Sequence, residues 1–341
     1  MACRREFGHE AREPGLMTDR YSRQIVLPEV GASGQARLRS AAVLVVGAGG
    51  LGSAVLQYLC AAGVGRLAIV DHDRVEESNL HRQPLYRMRD LGLPKARAAR
   101  AALLDANPDV IVKAVAERLT PANVADLVAA ADVVVDAADS FAATYVLSDE
   151  CHRVRKALIS ASALGLSGYV GAFSGGAPSY RAVFPEMPRQ AGSCAQSGVL
   201  GTAVGMMGIL QAHMVLALLL ELRPSVLGQL VTVDCRTLRF GGFSFAAAHE
   251  PAGTAVLSFI AAAEVSRTDI VIDLRSVAEA PVSPFTSALR IGVDAVENAQ
   301  THFPAERRIV LCCRTGVRAW RAARALQRQG HTNVALLAVG G

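Results

Sequence analysis

Charged and aromatic side chains are scarce in this sequence of 341 residues: charged residues make up 19% of it, and Phe, Trp and Tyr together 5%. Hydrophobic residues make up 51%, which excludes an intrinsically disordered chain. The 35 Lys and Arg exceed the 30 Asp and Glu by a net charge of +5, which is too small at this length to indicate a nucleic-acid partner. The length predicts about two domains.

Cysteine pairs and a signal peptide are also missing from the sequence. The seven cysteines include no C-x-x-C pair, which argues against a disulfide framework and against a cysteine-rich zinc site. Residues 1–15 are charged and lack the apolar core of a signal peptide. We therefore expect a cytoplasmic protein whose thiols are reduced.

One segment, residues 199–222, is apolar enough to cross a membrane. It contains Gln211 and His213, however, and its glycines suit a closely packed helix. No second apolar span accompanies it. We therefore predict a buried core helix and no association with a membrane.

The first two thirds of the chain alternate between strand and helix patterns. Apolar runs at 41–46, 66–71, 110–115, 131–137 and 157–163 are separated by helical stretches, which predicts an α/β fold with a doubly wound, mostly parallel, Rossmann-like sheet. Beyond it, 167–173 and 179–184 are predicted to form an antiparallel pair around a turn at 175–178. Further strands are predicted at 230–234 and 238–245.

A second, smaller α/β unit follows. Residues 270–275, 308–313 and 334–339 have strand patterns, and 317–330 has a helical pattern with several arginines. The segment 246–256 is small and polar with one proline, so we predict that it links two domains, at 18–245 and 257–341.

A glycine-rich loop follows the first predicted strand and contains Gly47, Gly49, Gly50 and Gly52. Such a loop lets the backbone approach a phosphate, which the free N–H groups of the next helix bind. Asp71, at the end of the second strand, is placed to accept hydrogen bonds from ribose hydroxyls. This pattern alone also suits a nicotinamide dehydrogenase.

Polar and charged side chains beyond the loop favour ATP over a dinucleotide. They are Asp73, Asn79, Arg82, Gln83 and Lys95, with Arg23 ahead of the sheet. A triphosphate requires several fixed cations, whereas a dinucleotide pyrophosphate is bound largely by the helix end. Asp139 follows a strand at the ligand-binding edge of the sheet, where its carboxylate can hold Mg²⁺. The predicted cofactors are therefore ATP and Mg²⁺.

Two further segments contain cysteines with candidate chemistry. Cys313 begins the loop C-R-T-G-V-R between a strand and a helix, where backbone N–H groups and neighbouring arginines stabilise a thiolate or a persulfide. Cys312, beside it, is expected to be a buried thiol. Cys194, in GSCAQSGVLG, is either a second catalytic thiol or a packing residue at a helix start.

Several blocks occur together in order: RYSRQIVLPEVG, VVGAGGLGS, VDHDRVEESNLHRQ, GLPKA, DAADSF and CAQSGVLG. Over residues 18–245 the sequence thereby resembles the MoeB/ThiF family, the bacterial relatives of ubiquitin-activating enzymes. The resemblance implies that ATP adenylates the C-terminal glycine carboxylate of a ubiquitin-like sulfur-carrier protein ending in Gly-Gly. It also implies roles for single residues: Arg82 and Lys95 on the phosphates, Asp71 on the ribose, Asp139 on Mg²⁺, and Arg23 in the partner subunit's site of a homodimer.

Residues 265–341 resemble a rhodanese-like domain, through the Cys313 loop and through Asp273, Arg275 and Glu279. The resemblance implies that a Cys313 persulfide converts the adenylated carrier into a thiocarboxylate. The sulfur donor would be a cysteine desulfurase or thiosulfate. Adenylation of a peptide or small-molecule carboxylate and a non-catalytic carrier-binding scaffold stay open as alternatives.

The sequence departs from the MoeB/ThiF family at two places. Many members carry two zinc-binding C-x-x-C pairs, but this chain has Ser179-Tyr180-Arg181-Ala182 at the first and nothing equivalent after Cys235. The family's D-N-F-x-T-R-Y-x-x-N is DSFAATYVLS here, with Thr144 and Ser148 in place of the arginine and the last asparagine.

We expect the purified protein to hold no structural zinc, because the thiolates that would bind it are replaced by side chains that do not ligate zinc. Elemental analysis of the dialysed protein checks this expectation. Zinc in stoichiometric amount would contradict it.

Overall fold

Two sheets, of eight and four strands, organise the chain. The structure, a computed structural model, describes residues 19–188, 198–251, 256–299, 302–304 and 306–339. The strands of the large sheet are β1 (Ala42–Val46), β2 (Arg66–Val70), β3 (Ile111–Val115), β4 (Val133–Asp136), β5 (Ala157–Leu164), β6 (Ser167–Ser174), β7 (Gln229–Asp234) and β8 (Arg239–Ser244). Those of the small sheet are β9 (Ile270–Asp273), β10 (Leu289–Arg290), β11 (Ile309–Cys313) and β12 (Val334–Ala338).

The large sheet has the order β3-β2-β1-β4-β5-β6-β7-β8. Its first five strands pair in parallel and its last three join in antiparallel pairs. This confirms the predicted doubly wound, mostly parallel α/β fold. The strand order reverses between β1 and β4, which is the point where open α/β sheets bind their ligands.

Helices cover both faces of the large sheet and one face of the small one. In chain order they are α1 (Ser22–Ile25), α2 (Gly31–Ser40), α3 (Gly50–Ala61), α4 (Lys95–Ala106), α5 (Val124–Ala129), α6 (Phe141–Arg153), α7 (Tyr180–Val183), α8 (Gly201–Leu219), α9 (Val293–Glu297) and α10 (Val317–Arg328). Helices α3 and α8 pack together on one face of the large sheet, while α6 packs on the other. The fully buried β1 lies between these two layers.

The predicted strand at 179–184 is wrong, because this segment contains helix α7 instead. Strand β6 already pairs with β5 on one side and β7 on the other, so no edge is left for it to accept a further strand. The N–H and hydroxyl of Ser179 each donate to the Glu250 carboxylate at 2.6 Å, and Tyr180 is buried among other aromatic rings. These contacts turn the chain away from the sheet.

Helix α8 lies within the apolar segment 199–222. Among the described residues it alone is long and apolar enough to span a membrane, and half of its apolar window is buried inside the protein. Its Gln211 amide donates to the carbonyl of Asp136 at 2.7 Å, under the end of β4. These contacts support its interpretation as a core helix.

The small sheet has the order β10-β9-β11-β12, with every pair parallel. One cluster of buried apolar side chains extends from Leu44 and Val134 of the large sheet to Ile272 and Leu311 of the small one. Residues 252–255 of the predicted linker lie outside the described part of the chain. The two sheets therefore share one apolar core.

The contact between α3 and α8 depends on Gly208, where a methyl group would lie 2.5 Å from the carbonyl oxygen of Leu51. We expect Gly208→Ala to lower the free energy of unfolding by about 1–3 kcal/mol, as overpacking does. Gly205, one turn earlier, has no neighbour within 4 Å of the same position. Gly205→Ala should therefore gain about 0.5–1 kcal/mol from helix propensity. Chemical denaturation measures both, and equal effects of the two variants would contradict this packing.

Candidate active sites on two sheet edges

The glycine-rich loop joins β1 to α3 at the reversal of strand order. Gly47 has a φ of 96°, and a methyl group there would lie 2.4 Å from the carbonyl oxygen of Ala137 at the end of β4. A methyl group on Gly52 would lie 2.0 Å from the carbonyl oxygen of Gly47. The loop is therefore folded tightly against β4, and α3 begins at Gly50 with its N–H groups toward the sheet edge.

Asp71 connects the end of β2 to this loop, as its predicted place requires. Its carboxylate accepts the N–H of Ala48 at 2.7 Å and that of Asp73 at 2.8 Å. Burial raises the pKa of Asp71 in spite of these two hydrogen bonds. Asp71 therefore holds the loop in shape.

Lys95 is the first residue of α4, and it is almost completely buried. Its ammonium lies 3.1 Å from a carboxylate oxygen of Asp73, which it therefore pairs with in this structure. Burial raises the pKa of Asp73, but the Lys95 charge and hydrogen bond outweigh it, so the pKa lies below its ordinary value. A phosphate would have to share this ammonium with Asp73.

Arg82 lies between the N-termini of two helices. A methyl group on Gly50, at the start of α3, would lie 3.3 Å from the Arg82 carbonyl oxygen, and one on Gly201, at the start of α8, would lie 3.3 Å from the Arg82 Cα. The guanidinium donates to the carbonyl of Ser78 at 3.0 Å. The two helix starts thus meet at the Arg82 backbone, and each N-terminus carries about half a positive charge.

Asn79 and Gln83 are buried beside the same loop. The Asn79 amide donates to the Ser78 hydroxyl at 3.2 Å. The Gln83 Nε2 lies 3.7 Å from where a methyl group on Gly49 would stand, and its Oε1 has no hydrogen-bond partner among the described residues. A buried amide oxygen without a donor is costly, so this place fits a site where a bound molecule supplies an N–H or O–H group.

Asp139 is exposed in the turn between β4 and α6, at the predicted edge. Asp136, three residues earlier, was missed by the sequence reasoning, although the pattern D-A-A-D pointed to it. Its buried carboxylate accepts the Ser160 hydroxyl at 2.8 Å and the Ala138 N–H at 3.2 Å. Burial raises the pKa of Asp136 to about 6. Asp136 thus shapes the turn that presents Asp139.

Another group of metal-type ligands lies at the end of β2. The ligand atoms of Asp71, His72 and Asp73 lie within 4.8 Å of one another, the one such group of three found among the described residues. Asp71 already accepts two backbone hydrogen bonds and Asp73 is paired with Lys95. These carboxylates are therefore engaged in holding the loop.

One predicted site residue is not brought to the glycine loop, and a second lies outside the described residues. Arg23 is exposed on α1, which packs at the opposite end of α3, where the Gln24 amide donates to the carbonyl of Ala62 at 3.1 Å. Cys194 lies within 189–197, outside the described residues. Of the predicted nucleotide-site residues, Arg23 therefore stands apart within this chain.

Cys313 ends β11, and its thiol is fully buried. Its sulfur accepts the N–H groups of Gly316 at 3.2 Å and Ala319 at 3.4 Å, at the start of α10. This is the predicted cradle of backbone donors for a sulfur anion. Burial raises the pKa of neighbouring Cys312 to about 12, which keeps that thiol protonated and confirms its predicted burial.

A set of ion pairs lies beside the Cys313 loop. Buried Asp273 accepts two hydrogen bonds from the Arg275 guanidinium, each at 2.9 Å. Arg318, on the first turn of α10, pairs with Glu279 and donates to the carbonyl of Leu274 at 3.1 Å. The Arg318 guanidinium lowers the pKa of Glu279. The predicted Asp273, Arg275 and Glu279 are thus brought to the cysteine loop.

Comparison with known families accounts for both units. Residues 21–254 match the ThiF family. The chain belongs to the ThiF family. Residues 260–341 match the rhodanese-like domain, so the second active-site loop lies in a domain of that kind.

Curated relatives of the ThiF domain carry related names. The Bos taurus "Adenylyltransferase and sulfurtransferase MOCS3" is 49% identical over 218 residues, which are 63% of this chain and 48% of that protein. The Thermus thermophilus "Sulfur carrier protein adenylyltransferase" is 43% identical over 230 residues, 65% of this chain and 85% of that protein. The Haloferax volcanii "SAMP-activating enzyme E1" is 43% identical over 224 residues, 65% of this chain and 83% of that protein. The match spans about half the length of the MOCS3 protein.

Solved structures share the fold of the ThiF domain. E. coli MccB with ATP superposes with a TM-score of 0.59 at 21% identity, over 67% of this chain and 72% of that one. PaaA superposes with a TM-score of 0.58 at 22% identity, over 70% and 78%. At these identities the likeness concerns the fold alone.

The buried carboxyl of Asp136 gives the ThiF domain a testable pH dependence. Because its pKa is raised, the folded protein binds a proton here that the unfolded chain has lost, and stability from this group falls as the pH rises from about 4 to about 6. Asp136→Asn removes this term, so from about pH 4 to about pH 7 its stability relative to the wild type should rise by about 1–3 kcal/mol.

Denaturation curves at several pH values measure this difference, and Asp126→Asn, at an exposed carboxyl of α5, is the control. Parallel stability curves for the wild type and Asp136→Asn would show that Asp136 is not buried as described.

Proposed function

We propose that this chain uses ATP to adenylate the C-terminal glycine carboxylate of a ubiquitin-like sulfur-carrier protein, and that it then transfers sulfur from Cys313 to that carboxylate. One observation carries the proposal. A phosphate-type loop flanked by two helix N-termini and Arg82 occurs in the same chain as a cysteine cradled by backbone N–H groups. The names of the adenylyltransferase relatives support it.

The adenylation step brings two anions together, because the carrier carboxylate attacks the α-phosphorus of ATP. The N-termini of α3 and α8, Arg82 and Lys95 offset the charge that develops on the phosphate oxygens and on the leaving pyrophosphate. Asp71 accepts from the ribose hydroxyls, and the unpaired Oε1 of Gln83 is available to a hydrogen-bond donor of the nucleotide. No general base is required, since the attacking carboxylate is already ionised.

Magnesium, a second subunit and a sulfur donor complete the proposal. Asp139 would hold Mg²⁺, which neutralises phosphate charge when it is bound. Arg23, remote from its own loop, would reach the site of the partner subunit in a homodimer. A cysteine desulfurase or thiosulfate would supply the sulfur, in the cytoplasm.

In the sulfur step the outer sulfur of a Cys313 persulfide attacks the acyl carbon of the adenylate. The bond from that carbon to the AMP oxygen breaks, and an acyl disulfide forms. A second thiol, for which Cys194 is the candidate, then attacks the Cys313 sulfur and breaks the sulfur–sulfur bond. The carrier leaves as a thiocarboxylate, and the resulting disulfide between the two cysteines is reduced by an external thiol.

ATP–pyrophosphate exchange, together with mass spectrometry of a Gly-Gly carrier encoded by the same genome, tests this function. Cys313→Ser should keep the exchange and lose thiocarboxylate formation, because the persulfide cannot form. Cys312→Ser is the matched control, since its buried, protonated thiol takes no part and both reactions should persist.

Lys95→Met should weaken ATP binding by about 10- to 100-fold, through loss of one charge-assisted hydrogen bond.

Each failure points to a different conclusion. Exchange with peptide carboxylates but with no carrier would favour the alternative acceptor, to which the unusual Thr144 and Ser148 of α6 would then contribute. Tight carrier binding without exchange would identify a scaffold. Sulfur transfer by Cys313→Ser at the wild-type rate would remove Cys313 from the mechanism.

A further inference from the structure

Arg181 of the ThiF domain is buried at the boundary with the rhodanese-like domain, 4% exposed. Its guanidinium donates to the Asp149 carboxylate at 2.8 Å on α6, and to the carbonyl of Leu257 at 2.9 Å, where the chain enters the second domain. A planar guanidinium held by two partners fixes orientation as well as distance. This contact therefore sets how the two domains meet.

Aromatic rings from both domains stack on the same guanidinium. The Arg181 Cζ lies 4.7 Å from the ring centroid of Tyr145 on α6 and 5.6 Å from that of Trp320 on α10. The indole N–H of Trp320 donates to Glu186 at 3.0 Å, and Arg324, one turn later, pairs with the same carboxylate at 2.7 Å. We call six side chains the domain joint: Tyr145, Asp149, Arg181 and Glu186 of the ThiF domain, with Trp320 and Arg324 of the rhodanese-like domain.

The chain around the joint is anchored on the ThiF side as well. Ser179, two residues before Arg181, donates twice to Glu250, which lies shortly before the second domain. This pair stands at the segment where Ser179-Tyr180-Arg181-Ala182 replaces a C-x-x-C sequence. The segment that leads into the rhodanese-like domain is thereby held beside Arg181.

The joint lies on the helix whose N-terminus holds the cysteine loop. Trp320 stands four residues beyond Gly316, and a methyl group on Gly316 would lie 3.2 Å from the Cβ of Ala142 and 2.8 Å from the Phe259 ring. Ala142 follows Asp139 by three residues, so their Cα atoms are at most about 11 Å apart. The closed joint thus brings the Cys313 loop to the edge of the sheet that carries the nucleotide loop, with the Cys313 thiol fully buried.

We infer that the domain joint is a positioning device that closes the Cys313 loop over the start of α6, beside the adenylation site, and that it must open before a sulfur donor can reach the thiol. The inference rests on the proposed function for its sulfur-transfer part only. The Cys313 thiol is buried irrespective of that function. Closing favours transfer and opening favours loading, so weakening the joint changes the two rates in opposite directions.

Glu186→Ala and Arg324→Ala in the full chain test the joint, because both side chains are partly exposed and their removal spares the buried core. The first readout is alkylation of Cys313 by iodoacetamide, followed by peptide mass spectrometry. We expect it to accelerate roughly two- to fivefold in each variant, because each one removes a partly exposed ion pair that holds the closed form. Glu186→Gln, which still accepts from Trp320, should restore part of the protection.

The second readout is the transfer of labelled sulfur from thiosulfate-loaded Cys313 to the adenylated carrier in a single turnover. It should slow in the same variants, and by less than alkylation accelerates, because most molecules stay closed when the closed form is strongly favoured, while ATP–pyrophosphate exchange stays unchanged. Arg321→Ala is the matched control, since Arg321 lies on the same helix but pairs with Glu297 inside the rhodanese-like domain.

An unchanged alkylation rate in folded Glu186→Ala, or an equal acceleration in Arg321→Ala, would contradict the proposal that the domain joint covers Cys313. Faster alkylation together with faster transfer would overturn its positioning role. If the wild type sulfurates no carrier, the proposed function fails in its second step, and the alkylation measurements still decide whether the joint covers Cys313.

Discussion

The contact between the carboxyl ends of β1 and β4 is the constraint on which both sides of the nucleotide site depend. Gly47 turns there with a positive φ, at a point where a methyl group would lie 2.4 Å from the Ala137 carbonyl oxygen. On one side this contact sends the chain into α3 and its free N–H groups, and on the other it leads from buried Asp136 to exposed Asp139. A larger residue at Gly47 would separate the strands that bring these groups together.

Charge compensation within the protein prepares the site for an anion before any ligand binds. Lys95 is held by Asp73, and Asp71 by the backbone of the loop. In the proposed function, a triphosphate would replace Asp73 as the ionic partner of an ammonium that is already in place. The Cys313 loop is likewise prepared for a sulfur anion. Backbone N–H groups at the start of α10 point to the Cys313 sulfur, and the Arg318–Glu279 pair holds this helix start in place.

Sequence reasoning reached the features that depend on short-range pattern. Apolar runs predicted the strands, glycine spacing predicted the phosphate-type loop, and the residues after Cys313 predicted its cradle. It failed where the outcome depends on distant parts of the chain. Residues 179–184 have the pattern of a strand but no free edge to join, and Asp136 is buried among residues remote in sequence, including Ser160 and Gln211. The sequence did not predict the domain joint either, because Arg181 and Trp320 are far apart in sequence.

The central claim is that the triphosphate of ATP lies between the N-termini of α3 and α8, and a crystal structure with a non-hydrolysable ATP analogue tests it most directly. We expect phosphate oxygens within about 3.2 Å of the N–H groups that open α3 and of the Arg82 guanidinium, with Lys95 turned from Asp73 toward the phosphates. A nucleotide bound elsewhere, with the Lys95–Asp73 pair intact and the glycine loop free of phosphate, would contradict it.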